Sequence, residues 1–185
     1  VDIGIKLKII FDTLKDIQLI ATGSSAFEIM NKTNEPLTGR KWQFNLFPFS
    51  FAELAEHNGL IEEKRMLPVR LLYGAYPEIV IHEGEEKERL KLLTDSYLYK
   101  DLLMYEGLKK PDKILHLLQL LAFRIGTEIN YNNLSKELKI DFSTVEKYVQ
   151  LLEDSFIIFR LKALSRNHSK ELKKGRKIYF IDNGV

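Results

Sequence analysis

The chain contains no cysteine. Disulfides and thiolate metal sites are therefore excluded, and the composition fits a cytosolic protein. No run approaches the roughly 18 apolar residues that a membrane span needs. No signal-peptide pattern opens the sequence, and because the first residue is Val1 the native N-terminus is expected to lie upstream. A phosphate-cradling loop of the form GxxxxGK[ST] is missing, as is an acidic strand end for Mg²⁺. The four histidines, His57, His82, His116 and His168, are scattered and show no metal-ligand spacing. No nucleophile–base pair can be argued from spacing.

What is present is an ordinary globular composition, 45% hydrophobic and 29% charged over 185 residues. The net charge of +2 is unevenly spread. Residues 107–185 hold 15 Lys and Arg against 9 Asp and Glu, so the remainder of the chain is net acidic. That asymmetry points to a basic C-terminal module.

Periodicity predicts a helix over residues 4–15 with Ile5 and Ile9 on its apolar stripe. A strand over Gln18–Thr22 should follow, then a Gly-Ser-Ser turn and a further helix. This order is typical of a parallel α/β sheet, but nothing downstream supplies the other strands. The segment is therefore expected to be the tail of an α/β domain. Trp42–Leu46 alternates with period two and reads as another strand. Ser50 and Glu53 have capping-box spacing, so a helix should begin there. Residues 60–104 read as helical pieces broken around Gly74–Pro77 and at Gly84.

In the C-terminal third, residues 112–125 form an apolar helix pattern. Asn133 is expected to cap a short helix over Leu134–Leu138. A second capping box, Ser143 to Glu146, should open a helix to about Asp154. Two β-rich runs follow, Phe156–Leu164 and Lys177–Ile181. Helices followed by a hairpin give the winged helix-turn-helix pattern.

Each functional candidate has a plain structural alternative. Thr22-Gly23-Ser24-Ser25 is either a strand-to-helix cap or a ligand-facing turn at a strand's carboxyl end. Arg40 is either a surface residue after a turn or a guanidinium facing phosphate. On the helix over 143–154, Thr144, Lys147 and Gln150 face outward with Glu146, a weakly charged surface for reading DNA bases. The loop between the two β-runs and its flanks are basic. Arg166, Lys170, Lys173, Lys174, Arg176 and Lys177, together with Lys162, suit phosphate contacts or a solvated loop equally. Asp182, after the second β-run, reads as a turn residue. The run Tyr97–Asp101 reads as a core helix.

Taken in order, IQLIATGSSAF, EPLTGRKWQFNLFPFSFAEL, YGAYPEIV, SYLYKDLL, TVEKYVQLLEDSFIIFRL, SRN and KGRKIYFIDNGV resemble one family. It is a bacterial and archaeal family of predicted AAA+-type ATPases with a C-terminal domain of unknown function, DUF4143. The resemblance covers essentially the whole chain. It implies an α+β protein, mainly helical with some β. Residues 1–50 would be the C-terminal part of the ATPase core and 51–105 a helical lid. Residues 106–177 would be the winged helix-turn-helix and 178–185 the start of a nuclease-like domain. Ser24 and Ser25 would be sensor 1 residues, with Thr22 and Gly23 beside the nucleotide, and Arg40 a phosphate-sensing or finger arginine.

The same resemblance makes this chain an internal fragment. ATP and Mg²⁺ would be bound by the parent protein, with no cofactor held tightly here. The fragment alone would not hydrolyse ATP. DNA or a protein would be the partner of the winged helix, a cytoplasmic location is implied, and an exposed sheet edge would favour a homodimer or other homo-oligomer. The alternative function is a non-enzymatic winged-helix module that binds DNA or a protein.

Overall fold

The computed structural model describes residues 3–23, 42, 44–95, 110–162 and 176–185. The chain divides into two compact units, Val1–Leu46 and Phe47–Val185.

In the first unit, α1 spans Ile3–Thr13. Gln18–Thr22 is not a strand, and Leu19 and Ile20 are exposed. The described residues of Trp42–Leu46 are likewise irregular and exposed. Both departures have one cause. A strand persists only as a member of a hydrogen-bonded ladder, and no partner strand stands among the described residues of this unit.

The second unit begins with helices. α2 spans Phe51–Asn58, and its predicted capping box forms: the Ser50 side chain takes the Glu53 N–H while Glu53 accepts from the Ser50 N–H. α3 spans Leu60–Tyr73, α4 Pro77–Val80 and α5 Glu86–Leu93. The breaks fall where glycine and proline were expected to place them.

α6 spans Pro111–Ala122 and buries Ile114, Leu117, Leu118 and Leu121, one stripe at helical spacing. β1 is the short strand Glu128–Ile129, which periodicity did not announce. α7 runs Tyr131–Leu138. Its cap is Asn130 rather than Asn133: the Asn130 side chain accepts from the N–H groups of Asn132 and Asn133, so the helix starts three residues early. α8 runs Phe142–Asp154. Asp141 occupies its N-cap in extended geometry without a side-chain bond, displacing the box expected at Ser143.

β2 (Ile158–Leu161) and β3 (Arg176–Phe180) complete a three-stranded antiparallel sheet of order β1-β3-β2. The molecule is α+β. Register pairs Ile158 with Phe180 and Arg160 with Ile178, and on the opposite face Phe159 with Tyr179. Ile158 and Ile178 close the core formed by the stripe of α6, Leu134 and Leu138 of α7, and Val145, Val149 and Leu152 of α8. Fully burying each such side chain contributes about 1.5–3 kcal/mol.

The turn from α8 into β2 places Phe156 at φ 55. The Ile157 N–H returns to the Leu152 carbonyl, a Schellman closure that usually employs glycine. Here the bulky residue is held by an edge-to-face contact with Phe47, ring centroids 6.1 Å apart.

Candidate functional site

A polar contact spanning 107 positions joins the chain after β3 to the turn after α3. Asp182, only 5% exposed, follows β3. Its Oδ2 accepts the Ala75 N–H at 2.7 Å and its Oδ1 accepts the Gly184 N–H at 2.9 Å. The Ala75 carbonyl in turn accepts the Phe49 N–H at 3.0 Å. The turn after α3, the strap before α2 and the chain after β3 are thus tied at one carboxylate.

The approach is close on both sides. Gly74 has φ 79, and a Cβ there would fall inside the Asp182 carboxylate. A Cβ on Gly184 would collide with the Tyr73 carbonyl. Beside this clamp lies a cleft of ≈ 340 Å³ whose walls include Phe47, Phe49, Phe159 and Ile181. From sequence alone Asp182 is an ordinary turn residue after a strand. Its role depends on a partner 107 positions away, although the glycines at 74 and 184 carried a hint of close approach.

Burial pushes the Asp182 carboxyl above its ordinary range, against the backbone donors at Ala75 and Gly184, which lower it. A second buried acid behaves oppositely. Glu63 accepts from Arg70 Nη2 at 3.0 Å and from Asn58 Nδ2 at 2.9 Å. The Arg70 hydrogen bond is the main cause of its lowered carboxyl, against desolvation.

The two acids therefore leave opposite signatures on stability. Glu63, lowered in the fold, contributes stability that is present above its unfolded value near about 4.3 and is lost as pH falls through the folded value. Asp182, raised in the fold, contributes stability that is full below about 3.9 and is lost as pH rises through its folded value. Melting curves of wild type, Glu63→Gln and Asp182→Asn should show this. On acidification across that window, the Tm gap to Glu63→Gln narrows and the gap to Asp182→Asn widens.

Of the other expected site residues, Thr22 and Gly23 lie in exposed, irregular chain. Ser24, Ser25, Arg40, Arg166, Lys170, Lys173 and Lys174 lie outside the described residues, as does Tyr97–Asp101. On α8, Lys147 is exposed and Thr144 half-buried. Gln150 is engaged: its Nε2 donates to Asp154 Oδ1 at 2.8 Å and its Oε1 accepts from the Arg160 guanidinium. Arg160 is itself held by Glu153. Arg176 and Lys177 are exposed on β3. Among the described residues no group of three or more His, Asp or Glu could hold a metal ion.

The family model described as a domain of unknown function, DUF8612, matches residues 64–185, more than half of the chain and both halves of the Asp182 clamp. The chain belongs to the DUF8612 family. This corrects the expected DUF4143, which resembled the same stretch. A model described as an AAA domain matches residues 2–55 and gives the DUF8612 segment an AAA-type ATPase-like neighbour. An uncharacterized protein of Haemophilus influenzae is 25% identical over 97% of the chain and 46% of its own length. An uncharacterized protein of Methanocaldococcus jannaschii is 25% identical over 95% of the chain and 43% of its own. The chain thus spans less than half the length of these curated relatives. No solved structure matches. Among the described residues no helix is long and apolar enough to cross a membrane.

Proposed function

We propose that this chain is part of a cytoplasmic AAA+-type ATPase that couples ATP binding and hydrolysis to a winged helix-turn-helix, which contacts DNA or a protein. The observation that carries the reading is the AAA domain match over residues 2–55 running into the module built from α6 to β3. The helix–strand–helix–helix–strand–strand order with a β1-β3-β2 sheet supports a winged helix. Coupling needs a stiff connection, and the Asp182 clamp ties that module to the turn after α3.

In this reading Ser24 and Ser25 sense the γ-phosphate, with Thr22, Gly23 and Arg40 nearby. In the same reading ATP and Mg²⁺ are held by other residues of the parent protein. No hydrolytic step is assigned to the described residues. A non-enzymatic DNA-binding module is the second reading, favoured by the exposed cations of β3.

The deciding assay is Mg²⁺-dependent ATP hydrolysis by the N-terminally extended parent. Turnover is expected, with Ser24→Ala slower by about 10²-fold, the scale of losing one positioned donor. The 185-residue chain alone should be inactive. An extended parent that neither binds nor hydrolyses ATP would reduce the Gly-Ser-Ser turn to a cap and leave the second reading.

A further inference from the structure

A helix-turn-helix reads bases with the N-terminal residues of its second helix, set into the major groove between two phosphate rows. α8 is poorly made for that. Asp141 stands exposed at its N-cap, followed by Phe142, 44% exposed, and by Glu146 one turn on. Two carboxylates at the entering end would face the phosphates' negative potential. Asn and Gln read adenine through a bidentate amide, but both ends of the Gln150 amide already bond Asp154 and Arg160. Arg160 cannot substitute for it, since its guanidinium is held by Glu153.

Beyond Lys147 on α8 and Lys136 and Lys139 ahead of it, further exposed cations sit on the sheet. Register places Lys177 opposite Leu161 of β2, and Lys162 follows Leu161 directly. Arg176 pairs with Ile129 and Lys177 with Glu128 of β1. Lys162, Arg176 and Lys177 are all exposed and share the open end of the β2–β3 pair. Among the described residues the acid in register with them is Glu128, against three cations. Strand alternation puts Lys162 and Arg176 on one face of the sheet and Lys177 on the other, so the three straddle the end of the strand pair, where long side chains can contact neighbouring phosphates from both sides.

We infer that this end of the sheet binds the phosphodiester backbone of duplex DNA without reading its sequence, through Lys162, Arg176 and Lys177. The inference rests on the winged-helix reading and names its partner. Specificity of place would then come from whatever else the parent protein holds.

The test is fluorescence anisotropy of the 185-residue chain on a labelled 20-base-pair duplex across a salt series. Three phosphate contacts give a log–log slope of about −2.7 or steeper, and each of Lys162→Ala, Arg176→Ala and Lys177→Ala should bring it toward zero by about 0.9. Lys91→Ala on α5 serves as a charge control and should leave slope and affinity unchanged. An unrelated duplex should compete within about twofold, against the 10³-fold or greater preference typical of specific binders.

Persistent binding with the three hairpin variants silent would overturn the inference while leaving a DNA-binding winged helix in place. So would more than about tenfold discrimination between sequences. Absence of binding at low salt, with the chain folded by circular dichroism, would remove both the inference and the DNA arm of the proposed function.

Discussion

Arg70→Ala is expected to destabilise the second unit by at least about 3 kcal/mol, the lower end of the cost of breaking a buried ion pair. In a domain of this size that is a fall in Tm of about 6–12 °C. Glu63 is fully buried and Arg70 is 7% exposed. Removing the arginine leaves a carboxylate whose remaining partner is Asn58, at 2.9 Å. Desolvation already opposes its ionised form, so the group must protonate or drag water inside. Glu63→Ala should cost a similar amount, because a guanidinium is then stranded.

The double replacement is the informative one. Arg70 Nη1 is buried and has no partner among the described residues. Glu63→Leu with Arg70→Met should recover most of the loss and can exceed wild type by about 1–4 kcal/mol. Thermal and urea unfolding of the four proteins would give the coupling energy directly. A double variant no better than the singles would show that the pair is worth more to stability than the apolar contact that replaces it.

Gly74→Ala is the second large effect. A left-handed backbone and a carboxylate occupying the Cβ position act together. The strain alone is about 1–3 kcal/mol. Expelling Asp182 adds the loss of its bonds to the Ala75 and Gly184 N–H groups, each about 1.5–3 kcal/mol as a hydrogen bond to a charged group. Together these give about 4–9 kcal/mol, with the lower end expected where the turn can shift to relieve the clash. Asp182→Ala should cost about 3 kcal/mol by orphaning the same donors.

Because both variants open one clamp, their effects should not add. The double variant is expected to fall short of the sum by about 1–3 kcal/mol. Hydrogen exchange supplies the local readout: the amides of Phe49, Ala75 and Gly184 should lose protection together. Full additivity, or protection lost at Gly184 alone, would mean that the clamp does not tie the helices to the sheet.

Features whose chemistry is local were legible in the sequence. The Ser50–Glu53 box forms because both partners lie within one turn. The α6 stripe and the hairpin runs follow from period. The cap of α7 moved from Asn133 to Asn130 because two asparagines of equal chemistry compete and the earlier one reaches two donors. Gln18–Thr22 failed as a strand because a short apolar run signals only readiness to join a ladder. Glu63 and Arg70 gave no sequence signal as a pair, since their spacing of seven is not the usual pairing interval on a helix surface. The Asp182 clamp was least legible of all, as no local pattern encodes a contact across 107 residues.

Glu153 has an effect beyond holding Arg160. β2 is an outer strand of the sheet, and the Ile181 N–H bond to the Ile157 carbonyl fixes which of its groups turn inward. The Arg160 N–H turns outward, and Glu153 Oε1 accepts it at 2.9 Å. An incoming strand would have to displace that charge-assisted bond before making its own. The module is therefore ill-suited to lateral growth, whether into a shared sheet with another copy or into a fibril. Edge-to-edge association through β2 is expected to be weaker than through an uncapped strand of this length.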